Sequence, residues 1–189
     1  VDDAIRIRIV QAAAELFHAK GYRNVTLSEL AIRLGISKKT MYVYFTSKEQ
    51  IAAAVLDRTM DAIRKRIAER TTMAGDPLQV LSETLRNIKQ ELVKLSPIFL
   101  DDIQKYIPEQ WQKVETFRAK QLLFIEGLLQ DAYQAGLIRD LNPHIAAVLI
   151  TESILAFIRP DFAAKHGSTP HEIADTIFTL FIEGIRIKV

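Results

Sequence analysis

The stretch from Thr26 to Gln50, T-L-S-E-L-A-I-R-L-G-I-S-K-K-T-M-Y-V-Y-F-T-S-K-E-Q, constrains the fold more than any other part of the chain. Thr26 followed three residues later by Glu29 is a capping box, which supplies acceptors for the free N–H groups at a helix start. Leu27, Leu30, Ala31 and Leu34 then recur at helical spacing, and Gly35 stands where a chain leaving a helix needs a left-handed residue. Ile36 is an apolar plug, Ser37 is a good N-cap, and Lys38 to Phe45 reads as a second short helix. Two short helices separated by so tight a turn form a helix-turn-helix.

The second helix of this pair has two distinct sides. At about 100° per residue, Met41 and Phe45 fall together and can pack on Leu30, Leu34 and Ile36. The opposite side carries Lys39, Thr40 and Val43, flanked by Lys38 and Tyr42 on one edge and Tyr44 on the other. A helix that reads a DNA groove needs this division, with apolar residues inward, short or hydrogen-bonding side chains toward base edges, and hydroxyls at the borders for the phosphates. A plain helical hairpin with half-buried tyrosines is the alternative. The turn, the caps and the lysine pair favour DNA, with Thr26, Ser28, Lys38, Lys39, Thr40, Tyr42, Val43, Tyr44 and Lys48 as the candidate contacts.

These residues resemble the DNA-binding domain of TetR-family transcriptional regulators. The resemblance runs from Gly21 to Ile51 and rests on Gly21-Tyr22, Thr26, Leu34-Gly35-Ile36-Ser37, Thr40-Met41-Tyr42, Phe45 and Lys48-Glu49. It implies an all-α fold, a homodimer, a double-stranded DNA operator, a small-molecule inducer, and repression rather than activation. Many members carry glycine or alanine where this chain has Lys39, so its base preference is its own.

Charge is distributed accordingly. The chain of 189 residues carries 25 Lys/Arg against 23 Asp/Glu. Residues 1–48 hold eight basic and four acidic side chains, a net +4 that leaves −2 for the remainder. This basic excess sits with the DNA-reading unit. There is no cysteine, which excludes a disulfide framework and a thiolate metal site. No apolar run reaches the roughly 18 to 20 residues of a membrane span and no secretory signal pattern is present, so a cytoplasmic protein is expected.

Along the rest of the chain the helix pattern continues. Ile5, Ile9, Ala12, Ala13, Leu16 and Phe17 give an amphipathic first helix over 3–20, closed by Gly21. Thr46 or Ser47 caps a fourth, sustained by Ile51, Val55, Leu56, Met60, Ile63 and Ile67 to about Arg70. Asp76-Pro77, Ser96-Pro97, Asn142-Pro143 and Thr169-Pro170 each place a capping side chain before a proline preorganised for the first helical turn. Pro108 opens a long helix that Gly136 stops. Pro160 should end the eighth helix and leave Asp161 to Ser168 as a looser connection. No segment alternates with period two. The expected fold is therefore all-α with about nine helices, residues 1–48 forming a three-helix helix-turn-helix unit and residues 49–189 a helical ligand-binding and dimerisation domain.

Two helices are apolar over more than one stripe. From Pro170 to about Lys188 the polar residues crowd into an arc of about 100°, and Ile145 to Ile158 is similarly apolar most of the way round. Two such helices from each of two chains make a four-helix isologous interface, so a homodimer through residues 143–189 is expected. The large apolar residues between can line a cavity for a hydrophobic or amphipathic small molecule. Ile88, Leu92, Phe99, Ile103, Trp111, Phe117, Phe124, Ile150, Ile154 and Phe157 are the candidate walls, with Gln121 and Ser153 among the groups able to orient a ligand.

Catalytic signals are weak. There is no G-x-S-x-G elbow, no phosphate-binding glycine loop and no H-E-x-x-H. His166, His171 and Glu172 straddle a loop and a helix cap without a third ligand, so no metal and no cofactor are expected. The leading reading is a regulator released from a palindromic operator by a small ligand. The alternative is a helical carrier or enzyme for hydrophobic small molecules with a vestigial helix-turn-helix.

Overall fold

In a computed structural model, the structure describes residues 2–71, 75–157 and 160–187, and their side chains except at 70, 71, 155–157, 160, 163, 164 and 170. The side chain of Phe157, one of the expected cavity walls, thus lies outside the described residues, as do Ile158 and the last residues of the expected dimer segment. Among the described residues ten helices run in the order α1 (Asp3–Lys20), α2 (Leu27–Leu34), α3 (Lys38–Tyr44), α4 (Lys48–Thr71), α5 (Pro77–Leu92), α6 (Pro97–Tyr106), α7 (Pro108–Gln134), α8 (Pro143–Phe157), α9 (Pro160–Lys165) and α10 (Pro170–Ile185). Among the described residues there is no strand, only an isolated antiparallel bridge between Ile138 and Arg186.

The nine expected helices are joined by the six-residue α9, which occupies part of the segment expected to be a loose connection. Pro160 begins this helix because its fixed φ suits a first helical turn. The other starts are set by their caps. Thr26, Ser37, Asp76, Ser96 and Thr169 each accept the N–H three residues on, Asn142 does the same for Ile145 at 3.1 Å, and Thr169 with Glu172 closes a full capping box.

Packing follows the apolar faces. α1 buries Ile9, Val10, Ala13, Leu16 and Phe17 against α2, α4 and α6. α4 buries Ile51, Ala52, Val55, Leu56, Met60 and Ile63, first against α1 and then against α5 and α7. One helix therefore carries packing from the helix-turn-helix end into the larger bundle. There α7 packs on α8, α5 and α6, and α10 closes over α8 and α5.

The seam between the two ends is tight. Phe17 of α1 stacks on Phe99 of α6 with ring centroids 5.1 Å apart and planes 6° from parallel. Ser96 accepts the Phe99 N–H at 3.1 Å and donates its hydroxyl proton to the Phe17 carbonyl at 3.3 Å. Gly21, with φ +75°, brings the backbone so near α6 that a Cβ there would stand 2.6 Å from Asp102 Oδ2 and 2.7 Å from Ile98 Cγ2. A side chain at this position would be strained twice over.

Candidate nucleic-acid interface and ligand cavity

The sequence division of α3 into two sides is present in the fold. Met41 is fully buried and Phe45, just past the helix, nearly so, while Tyr42 and Val43 are 53% and 61% exposed and Lys38 and Lys39 are exposed beside them. The turn that aims the helix is built as its residues dictate. Gly35 is left-handed at φ 65°, ψ 30°, and Ser37 Oγ accepts the Thr40 N–H at 2.9 Å while sharing a second hydrogen bond with the Thr40 hydroxyl at 2.9 Å. Thr26 lies exposed at the N-cap of α2 and Ser28 half-buried in its first turn. Tyr44 is half-buried and rests on the core, so only its outer edge is available.

Lys48 is placed differently from its neighbours in the candidate set. Its Nζ donates to the carbonyls of Tyr22 and Val25, both at 2.9 Å, and approaches that of Arg23 at 3.4 Å. It also sits 4.1 Å from the centroid of the Tyr22 ring. Burial pushes its pKa below the ordinary lysine value, with the charges of Glu49 and Asp102 pulling the other way. The ammonium thus ties the start of α4 to the loop before α2, behind the outward face of α3. Arg6 is similarly occupied, its guanidinium lying 5.0 Å over the Phe45 ring.

The same loop is held from three sides. The Tyr22 hydroxyl donates to Glu49 Oε1 at 3.0 Å. Burial, that bond and the Glu49 charge push the Tyr22 pKa well above the ordinary phenol value, and bonds from Ser47, from its own backbone N–H and from Tyr22 pull Glu49 down. From α6, Asp102 Oδ2 accepts the Arg23 N–H at 2.9 Å, and the Arg23 guanidinium donates to the Tyr106 hydroxyl at 2.9 Å and lies 4.9 Å from that ring's centroid. Nothing in the sequence around Asp102 marks this role. Its partner is 79 residues away, and no local pattern announces it.

A cavity of about 80 Å³ opens between α4, α5, α7 and α8. Its lining includes Ile88, Leu92, Phe117, Gln121 and Ile154 from the expected set, together with Leu56, Thr59, Met60 and Ile63 of α4, which were not among the expected walls. Val114, Arg118 and Thr151 also face it. Ile150 lines a neighbouring apolar cavity, with Phe178 and Phe181 of α10. Phe99, Ile103, Trp111, Phe124 and Ser153 do not line the first cavity: Phe99 and Ile103 are spent in the core, Trp111 and Phe124 rest on it from outside, and the Ser153 hydroxyl donates to the Leu149 carbonyl at 2.7 Å.

Polar groups at this cavity are few. The Arg118 guanidinium donates to both carboxylate oxygens of Glu115, at 2.8 and 3.0 Å, and approaches Glu152 at 3.4 Å. Thr59 and Thr151 hydroxyls donate to carbonyls of their own helices. The buried Gln121 Oε1 has no hydrogen-bond partner among the described residues. No group of three or more His, Asp or Glu side chains among the described residues is placed to hold a metal ion, and no described helix is long and apolar enough to cross a membrane.

Residues 9–55 match the model of the family "Bacterial regulatory proteins, tetR family". Over 181 residues, 94% of each chain, the protein is 28% identical to the HTH-type transcriptional regulator YvaF of Bacillus subtilis. The fold is similar to that of a TetR/AcrR-family transcriptional regulator from Thermobifida fusca, with a TM-score of 0.70, 22% identity and coverage of 98% and 100% of the two chains. It is also similar to that of AibR in complex with isovaleryl coenzyme A and operator DNA, with a TM-score of 0.68, 22% identity and coverage of 93% and 96%. At these identities the two structural likenesses are likenesses of fold.

Proposed function

We propose that the chain, whose residues 9–55 match the model of the tetR family of bacterial regulatory proteins, is a DNA-binding transcriptional regulator that works as a homodimeric repressor. A small hydrophobic or amphipathic ligand in the α4–α8 cavity releases it from a near-palindromic operator. The observation that carries this reading is the orientation of α3: its apolar pair is buried in its own subunit, and Lys39, Tyr42 and Val43 are left facing outward. Lys38 to Tyr44 enter the major groove, with Lys39, Thr40 and Val43 toward base edges. Thr26, Ser28, Tyr42 and the outer edge of Tyr44 meet the backbone, and Lys48 holds this unit from behind.

Dimer formation is supported by an exposed apolar face. Ile145 and Leu149 of α8 and Leu180 of α10 are 52%, 54% and 68% exposed, and the two helices pack side by side. Pairing this face with its copy about a twofold axis buries all three residues and gives the molecule two α3 helices. The structural neighbour AibR is seen with both an acyl ligand and operator DNA, which supports a ligand acting on DNA binding here. The division of labour falls at the start of α4, residues 1–48 reading DNA and 49–189 binding ligand and pairing, in a protein working beside the genome in the cytoplasm.

The test is a gel shift with DNA from upstream of the chain's own gene. Binding in the nanomolar range that weakens steeply with salt is the expected result. Binding only at concentrations where any duplex is bound equally well would overturn the reading in favour of a carrier with a vestigial helix-turn-helix.

A further inference from the structure

Among the described residues that line the cavity between α4, α5, α7 and α8, the polar side chains are Thr59, Arg118, Gln121 and Thr151. All but Gln121 are spent on the protein itself. The Thr59 hydroxyl donates to the Val55 carbonyl at 3.3 Å and the Thr151 hydroxyl to the Ala147 carbonyl at 3.0 Å. The Arg118 guanidinium is held by Glu115 at 2.8 and 3.0 Å and reaches Glu152 at 3.4 Å. Gln121 differs from them at both ends of its amide. Its Oε1 is buried without a hydrogen-bond partner, and its Nε2 has none among the described residues either. A buried amide left unpaired costs stability that a leucine of similar size would not. This glutamine therefore points to a molecule that pairs with it.

We propose that the ligand is neutral and carries a donor and an acceptor side by side on one edge, as a primary carboxamide or a lactam does. That edge pairs with the Gln121 amide through two parallel hydrogen bonds, and the rest of the molecule meets apolar side chains. The proposal rests on the reading of the chain as a ligand-responsive regulator. Charge of either sign is poorly served in this cavity. An acid would find Arg118 already bound to carboxylates, an amine would find no carboxylate on the described lining, and an unpaired ion in such surroundings binds badly.

The geometry asks for more than polarity. Glutamine and asparagine read adenine through the same pair of parallel bonds, one given and one received. An amide turned end for end exchanges donor and acceptor, and a ligand turned over with it regains both bonds. A ketone serves Nε2 and leaves Oε1 unpaired. A secondary amide in its ordinary trans form keeps both polar atoms, but its N–H and C=O point opposite ways and only one can meet Gln121. A six-membered lactam holds the two on one side. Affinity should thus follow the edge and not the number of polar atoms.

The test is titration calorimetry of the full chain with compounds of one apolar body: para-butylbenzamide, its N-methyl derivative, para-butylacetophenone, para-butylbenzoate and para-butylbenzylammonium. A butyl-substituted δ-valerolactam supplies the second edge-bearing compound. The benzamide or the lactam should bind about 10-fold more tightly than the N-methyl amide and the ketone, which lose one bond each, and than both ions. Which of the two binds more tightly tells a carboxamide from a lactam. Gln121→Leu should bring the neutral compounds to within about threefold of one another. Because it removes an unpartnered buried oxygen, that variant should also melt no earlier than the parent protein, which a glutamine with a structural role would not allow. Gln121→Glu, which leaves only acceptors, should turn the preference to the ammonium compound. Tightest binding by the benzoate, equal binding of benzamide and ketone, no binding of either edge-bearing compound, or a preference that survives Gln121→Leu would overturn the proposal. If the benzamide or the lactam binds with these dependences yet leaves operator DNA in place, the ligand assignment stands and the regulatory reading fails.

Discussion

Replacing Lys48 by methionine separates two roles that a lysine at the start of α4 can play. Methionine keeps the stem packed near Tyr22 and removes the three donors. Two of the bonds lost are of good geometry, 2.9 Å to the carbonyls of Tyr22 and Val25, and each is worth about 1.5 kcal/mol as a hydrogen bond from a charged donor. The contact with Arg23 at 3.4 Å adds little, and the ammonium over the Tyr22 ring at 4.1 Å contributes about 0.5 to 1 kcal/mol. The site is only partly buried, so water satisfies part of what is lost, and the net cost is about 2 to 3 kcal/mol. For a chain of this size that is a fall in melting temperature of roughly 5 to 10 °C. Circular dichroism melting measures it, and the salt dependence of operator binding measures the other role. A lysine that neutralises a phosphate contributes about 0.9 to the slope of log K against log salt. Lys48→Met should therefore melt early with its slope unchanged, whereas Lys38→Ala should melt normally with a shallower slope. A Lys48→Met protein with normal melting and a shallower slope would refute the clamp and return Lys48 to the phosphates.

Other consequences follow from the same geometry. Leu180→Arg puts a charge in the proposed twofold face without touching the core, so sedimentation should show a monomer and the gel shift should weaken by orders of magnitude. An unchanged dimer would move the interface elsewhere. Asp102→Ala frees the Arg23 N–H from α6, and should leave DNA affinity within about threefold while blunting ligand-induced release; release as complete as in the parent protein would remove Asp102 from the coupling. Glu49, whose pKa is held below the ordinary 4.5, lends stability that is present above that value and is lost as pH falls through the lowered one. In denaturant titrations the stability gap between parent and Glu49→Gln should accordingly narrow between pH 7 and pH 3, and a constant gap would contradict the bond network drawn for it. Tyr22 runs the opposite way, its contribution present below the ordinary phenol value and shrinking at alkaline pH.

What the sequence shows directly is what local chemistry decides. Thr26, Ser37, Ser96 and Thr169 cap helices because the acceptor and the N–H it serves are three residues apart, and the two sides of α3 follow from its period alone. The division into Met41 and Phe45 inward against Lys39 and Val43 outward needs no knowledge of the rest of the chain. Lys48 and Asp102 were illegible for the converse reason: their partners lie 23 to 26 and 79 residues away, and a lysine before a helix looks the same whether its ammonium faces a phosphate or a carbonyl. The cavity is the harder case. Leu56 and Met60 of α4 recur at the same spacing as Phe99 and Ile103 of α6, yet the first pair borders empty space and the second is packed solid. Periodicity marks the inward face, and only the fit between helices decides whether that face meets another side chain or a gap. α9 is instructive in the same way, since a proline expected as a stop carries equally the chemistry of a helix start.

The central claim, that this chain pairs two outward-facing α3 helices to read duplex DNA, is tested most directly by selecting bound sequences from a random pool of duplexes with the intact protein. The expected result is enrichment of one near-palindrome whose half-site centres lie about 34 to 36 Å apart, or a multiple of that distance, with the symmetry lost in the Leu180→Arg protein. A pool that stays random after repeated rounds, or that converges on an asymmetric site bound equally by the monomeric variant, would contradict it.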